Sequence, residues 1–128
     1  MTARTNPGLI GISTVGIPVV DQDRSLAFYR DVLGFDVRVD APVPQLGSRW
    51  IMLAPPGSDV SVSLVAARDG TAVGVETGIR FATADAAAAH EALTAEGVQV
   101  GELMRWPGVP PMFAAVDPDG NRFEVVEV

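Results

Sequence analysis

The sequence predicts an α+β domain made of two tandem βαβββ modules, the first near residues 9–67 and the second near residues 76–128. Three observations carry that expectation. The segment DQDRSLAFYRDVLGF (residues 21–35) sets an acidic cap, an apolar helical stripe and a Gly-Phe stop directly after the β-branched run VGIPVV (15–20). A weaker copy, GIRFATADAAAAHEALTAEGVQV (78–100), repeats strand, Asp, helix, Gly and strand half a chain later. Turn signals rich in Pro, Gly and Asp then divide the rest of each half into short strands. A duplicated module of this kind places its functional site where the copies face each other.

Taken in order, residues 1–8 read as a loose leader ending in Asn6-Pro7-Gly8, and a strand follows over 10–20. Asp21 or Asp23 caps the next helix, because a short carboxylate accepts the free N–H groups of the first turn. Leu26, Phe28, Tyr29, Val32 and Leu33 recur at helical spacing, so that stripe lies on a sheet, with Tyr29 in the core. Gly34 ends the helix through the left-handed conformation a C-cap needs. Strands are expected over 35–39, 49–53 and 60–65, with Ala41-Pro42-Val43-Pro44 breaking the sheet and Pro55-Pro56-Gly57-Ser58-Asp59 turning it. After a polar linker over 68–75, the second module supplies a strand at 77–83, a helix at 85–96, and strands at 98–103, 112–116 and 122–126. The last two are joined by Asp117-Pro118-Asp119-Gly120-Asn121, a strong reversal signal.

Composition removes several classes of function. At 128 residues the chain is one domain, and 48% hydrophobic against 20% charged residues makes it globular rather than disordered. No apolar run reaches the roughly 18–20 residues of a membrane span. The N-terminus lacks the apolar core of a secretory signal, so a cytoplasmic location is expected. With no cysteine, disulfides, thiolate nucleophiles and Cys-ligated zinc are excluded together. A net charge of −7 repels phosphate backbones, so nucleic acid is not an expected partner. Neither a phosphate-binding loop nor a zinc-protease or nucleophile-elbow motif occurs.

The segments 19–35 (VVDQDRSLAFYRDVLGF), 49–58 (RWIMLAPPGS) and 117–128 (DPDGNRFEVVEV), with the repeat at 85–100, resemble the vicinal oxygen chelate superfamily of glyoxalases, bleomycin-resistance proteins and extradiol dioxygenases. The resemblance spans nearly the whole chain, and it is more specific for the fold than for a reaction. It implies sheets curled into half-barrels that enclose a cavity, a homodimer, and in the enzymes a divalent metal held at matching strand positions. The first such position lies seven residues before the helix-capping Asp, which here gives Thr14 and, in the second module, Gly78. The remaining two fall on Ser63, just before Leu64, and on Glu124, after DPDGN and two further residues. Glycine offers no ligand, hydroxyls are poor ligands for zinc, iron or manganese, and one carboxylate cannot hold the ion alone. No metal ligand set and no cofactor is therefore expected. His90, the sole histidine, falls within the second helix and reads as a helix surface residue.

Strand alternation then names the residues on the site face, since positions two apart share a side. Thr14, Gly16 and Pro18 fall together, as do Gly78 and Arg80, and Arg122 and Glu124. Arg80 and Glu124 stand on strands that neighbour each other in the resembling fold. They pair either as a structural ion pair or as a guanidinium that orients a ligand beside a carboxylate able to act as a base. Trp50 and Met52 share one face, Met112 and Ala114 another. The loop MRWPGVPPMF (104–113) offers Met104, Trp106 and Phe113 as a wall or lid for a flat apolar molecule. Trp106 and Met112 read equally well as core or dimer-interface residues.

Three functions remain open at this point. One is a metal-independent binder that sequesters an apolar or aromatic compound through Thr14, Trp50, Met52, Ser63, Arg80, Met104, Trp106, Met112, Phe113 and Glu124. The second is an enzyme, a lyase, isomerase or dioxygenase with a rearranged metal site or with Glu124 as general base. The third is an accessory dimer without a ligand.

Overall fold

The computed structural model describes residues 5–128, so the first four positions of the expected leader lie outside the described residues. The chain folds into two open mixed sheets, each with one helix, in the expected α+β order. The first sheet holds β1 (Thr14–Val19), β2 (Asp36–Val43), β3 (Ser48–Ala54) and β4 (Ser61–Ala66) in the order β1-β4-β3-β2. The second holds β5 (Glu76–Thr83), β6 (Met112–Val116) and β7 (Arg122–Glu127) in the order β5-β7-β6. In both, the strand before the helix runs parallel to the last strand of its module: Thr14 lies beside Ser61, and Arg80 beside Glu124.

Helix α1 (Gln22–Ala27) is capped by Asp21, whose Oδ1 accepts the backbone N–H groups of Asp23 and Arg24 at 3.0 and 3.1 Å. Its last turn, Phe28–Val32, widens to π geometry before Gly34 stops it at φ +74°. That extra residue per turn rotates Tyr29 inward, where it is fully buried. Helix α2 (Ala86–Ala95) starts at Asp85, which caps Ala88 at 3.0 Å, while the Glu127 side chain accepts from the N–H of Ala86.

Three expectations about strands are corrected. Residues 98–103 form no strand; Val100 makes an isolated bridge to Ala115 on β6, and Met104, just beyond them, makes another to Met112. Ala41-Pro42-Val43 does not break the sheet but continues β2, with Pro42 opposite Arg49. Because β2 is an edge strand, a residue without an N–H is tolerated where that group would have pointed to solvent. Strand β1 begins at Thr14 rather than at residue 10, and Leu9, Ile10 and Ile12 lie exposed ahead of it.

The core runs continuously between the modules. Ile17, Val19, Leu26, Tyr29, Ile51, Leu53, Val62 and Leu64 fill the first half, and Phe113, Ala115, Phe123 and Val125 the second. Phe28, Leu33, Ile79 and Phe81 pack against both. Edge-to-face rings thread the boundary, with Phe35–Phe81 and Phe81–Phe123 centroids 5.1 and 5.2 Å apart.

A buried polar cluster joins the halves at the Asp117–Asn121 turn. Asn121 is fully buried and uses every hydrogen-bonding position it has. Its amide donates to the Pro18 carbonyl at 2.8 Å and to Asp117 Oδ2 at 3.0 Å, and its Oδ1 accepts from the N–H groups of Gly74 and Val75. Asp117 Oδ2 also accepts the Tyr29 hydroxyl at 2.9 Å, while Oδ1 takes the N–H groups of Asp119 and Asn121. Asp119 reaches the start of α1, accepting from Arg24, Ser25 and the N–H of Val20. Gly74 sits against this turn at φ +71°, where a Cβ would stand 3.2 Å from the Asp119 carbonyl oxygen.

Tyr29→Phe keeps the ring and removes one donor from a buried carboxylate. It is expected to lower stability by about 2 kcal/mol, read as a lower urea midpoint with unchanged slope. Tyr29 is the only tyrosine, and burial, then the neighbouring Asp117, pushes its phenol well above the ordinary value of 10.0. The cluster is thus at full strength below pH 10 and loses stability above it, because only the unfolded chain can ionise the phenol there. Absorbance at the tyrosinate band should accordingly stay flat past pH 10 and rise only with cooperative alkaline unfolding. A simple titration near 10 would show that the hydroxyl is not buried.

Candidate functional site

Each sheet turns one face to its helix and the other away, and the sequence-expected residues divide between the two outward faces. On the first sheet, Ile17, Val19, Val62 and Leu64 point to the core, which leaves Thr14, Gly16, Ser61 and Ser63 on the opposite side. The Thr14 and Ser63 hydroxyls lie 2.6 Å apart, and Thr14 also donates to the Ser61 carbonyl at 3.2 Å. Met52 stands opposite Ser63 across β3 and β4. Trp50, two residues along, donates its indole N–H to the Met52 sulfur at 3.0 Å and remains 41% exposed. Thr14, Ser63, Met52 and Trp50 thus form one small patch, polar at one end and aromatic at the other.

The second sheet carries charge instead. Glu124 Oε2 lies 3.5 Å from Arg80 Nε, as the neighbouring strands required, and its Oε1 accepts from Arg122 Nη1 at 3.3 Å. Arg122 also binds Glu76, whose other oxygen accepts the N–H of Gly78 at 3.1 Å. The backbone bulges at this point, between the Glu76 and Arg80 pairings. Gly78 takes φ +73°, and the Thr77 hydroxyl spans the gap by donating to the Arg122 carbonyl and accepting from Ile79. A bulge re-aims the side chains that follow it, here Arg80. Ala114 lies opposite Glu124 and Met112 opposite Val126, so Met112 is on this face; Met104 bridges directly to Met112. Trp106 is 64% exposed in the turn that follows.

Phe113 is placed elsewhere. Alternation turns it to the core, where it is fully buried with its ring edge-to-face with His90 at 4.9 Å. His90 in turn binds the Gly101 carbonyl at 2.8 Å, which ties α2 to the 98–103 segment. Sequence reasoning placed Arg122 on the site face without giving it a role, and it passed over Glu76. The signal for Glu76 was available, since it falls two and four positions from residues already on that face.

The four positions that the resemblance assigns to a divalent metal do not suit one. Thr14 and Ser63 are committed to each other, Gly78 has no side chain, and Glu124 is flanked by two guanidinium groups that would repel a cation. Thr14 and Ser63 stand on one sheet, Gly78 and Glu124 on the other, and no hydrogen bond or ion pair joins the two pairs among the described residues. Among those residues no group of three or more His, Cys, Asp or Glu side chains converges as a metal site would require.

The Arg122 guanidinium, and after it the N–H of Gly78, holds the Glu76 carboxyl below its ordinary range. The ion pair therefore persists through the ordinary carboxylate range and is lost only as pH falls through the lowered value. Arg122→Ala should return Glu76 toward the ordinary carboxylate value in a carboxyl-carbon NMR titration. An unmoved Glu76 would mean that this pair does not form in solution.

No helix among the described residues is long and apolar enough to cross a membrane. Comparison with known proteins places this geometry in context. The protein YetH of Bacillus subtilis, itself uncharacterized, is 31% identical over 121 residues, covering 91% of this chain and 97% of its own. Among solved structures, a member of the glyoxalase/bleomycin resistance protein/dioxygenase superfamily from Sphaerobacter thermophilus is 31% identical with a TM-score of 0.86, covering 94% of this chain and 98% of the other. TnmS3, an antibiotic binding protein from Streptomyces sp. CB03234, is 28% identical with a TM-score of 0.85, covering 95% and 98%. The Glyoxalase/Bleomycin resistance protein/Dioxygenase superfamily model matches residues 11–125, and the chain belongs to that superfamily.

Proposed function

We propose that this protein binds or sequesters a small apolar or aromatic compound and does so without a metal ion. The observation that carries the reading is the state of the four metal positions: two hydroxyls hydrogen-bonded to each other, a glycine, and a glutamate held between arginines. The fold keeps its two outward faces and furnishes them with Trp50, Met52, Met104 and Met112, large polarizable groups suited to flat ligands. The likeness to an antibiotic binding protein supports the same reading. In this proposal a homodimer completes the cavity, bringing the outward face of one copy over that of another. The open sheets and the exposed Ile10, Ile12, Trp50 and Val65 support such a partner. The proposed location is the cytoplasm.

An enzyme with Glu124 as base would need that carboxylate free to take a proton. Both of its oxygens instead face guanidinium groups. The binding reading therefore stands ahead of the catalytic one.

Metal analysis of the purified dimer, confirmed as such by light scattering, should find zinc, iron, manganese and nickel far below one equivalent, and a chelator should leave the melting temperature unchanged. A panel of aromatic compounds should contain members that raise it, by about 2.7 kcal/mol of apparent stability at a hundredfold excess over Kd. Stoichiometric metal lost with Glu124→Ala would overturn the proposal in favour of a metalloenzyme.

A further inference from the structure

Arg80 differs from every other arginine held in a strand or helix. Arg24, Arg30, Arg38, Arg49 and Arg122 each donate at least one side-chain hydrogen bond within the protein. Among the described residues, the one ion-pair partner of Arg80 is Glu124 at 3.5 Å, beyond the roughly 2.7–2.9 Å of a charge-assisted hydrogen bond. Glu124 lies nearer to Arg122, which is itself anchored on Glu76. The row Glu76, Arg122, Glu124, Arg80 therefore ends in a guanidinium that makes no hydrogen bond among the described residues and whose side chain is 68% exposed.

Arg80 also stands at the edge of an apolar recess. Arg80 borders a cavity of about 290 Å³ between β5 and the beginnings of β1 and β4, with Val15, Val60, Val62, Ile79 and Phe81 among its walls. That volume is near the lower end of small-molecule sites, roughly 300–1,000 Å³. One or two rings would be held by apolar walls while an acidic group reached the guanidinium. A planar guanidinium pairs best with a planar or trigonal anion, to which it offers two parallel N–H groups. A cation is disfavoured here, because the Arg80 and Arg122 guanidinium groups flank Glu124 and repel it. The net charge of −7 opposes an anion only at long range, because charges beyond about 8 Å are largely screened at physiological salt.

We infer that the ligand is an aromatic anion, a carboxylate, phenolate or sulfonate, with its rings in the cavity between the modules and its charge on Arg80. This rests on the small-molecule-binding reading, moves the rings from the outward faces to the cavity beside β5, and adds the charge of the ligand and the residue that selects it. The test uses two fluorescent probes of one ring system, anionic 8-anilinonaphthalene-1-sulfonate and neutral N-phenyl-1-naphthylamine, titrated against the full chain. The sulfonate should bind saturably and more tightly than the neutral amine. Arg80→Gln should weaken the sulfonate about tenfold and leave the neutral probe within about twofold, and Arg80→Lys should restore part of the loss. Since Arg80 is exposed and makes no hydrogen bond among the described residues, an unchanged melting temperature in both variants identifies the effect as one on binding. Equal affinity for the two probes, or an equal response of both to Arg80→Gln, overturns the inference while leaving the small-molecule reading intact. Saturable binding of neither probe overturns both.

Discussion

Asp117 and Asn121 are cut off from water, and each has all its polar atoms answered by the protein. Together they hold the Pro18 carbonyl of β1, the Tyr29 hydroxyl of α1 and the N–H groups of the linker at Gly74 and Val75. Remove any partner and a desolvated donor or acceptor is left alone, which costs more than the bond contributed when made. This cluster sets the angle between the modules, and the aromatic path from Phe35 through Phe81 to Phe123 packs behind it. Every statement about the outward faces depends on that angle being held.

Each half of the chain has such a turn, and only one of them is a lock. The turn in the second module carries a carboxylate and an amide that reach across to the first. Its counterpart in the first module, Pro55-Pro56-Gly57-Ser58, has no such pair. The Ser58 hydroxyl is satisfied locally by the Val60 carbonyl, and Arg38 donates to the Ser58 backbone carbonyl. Where the first lock is filled by hydrogen bonds, the second position stays open as the cavity beside β5. The asymmetry that holds the chain together at one seam thus leaves room for a ligand at the other.

Much of the architecture was legible beforehand because it rests on local chemistry. The caps at Asp21 and Asp85 and the stop at Gly34 follow from spacing and backbone sterics, while the pairing of Arg80 with Glu124 needed alternation together with the strand order that the resemblance implied. The errors fell where neighbours decide. Pro42 was read as a breaker, yet an edge position excuses its missing N–H. Residues 98–103 alternate like a strand but lie against only one short stretch of β6, too little for a ladder. Phe113 looked like part of a ligand wall and proved to be core, since a strand residue belongs to the face its parity assigns.

By itself the sequence determined the α+β plan, because capping and periodicity are properties of single residues and their spacing, and its family resemblance pointed to Thr14, Ser63, Gly78 and Glu124. Only the tertiary structure decided which groups were spent and which were free. Asp117-Pro118-Asp119-Gly120-Asn121 read as a turn and became the bolt between the modules, while Arg80 read as half of an ion pair and emerged with its hydrogen bonds unclaimed. The reason is physical: a side chain's partners come from residues about a hundred positions away, as with Asn121 and Pro18, and no local pattern encodes that distance.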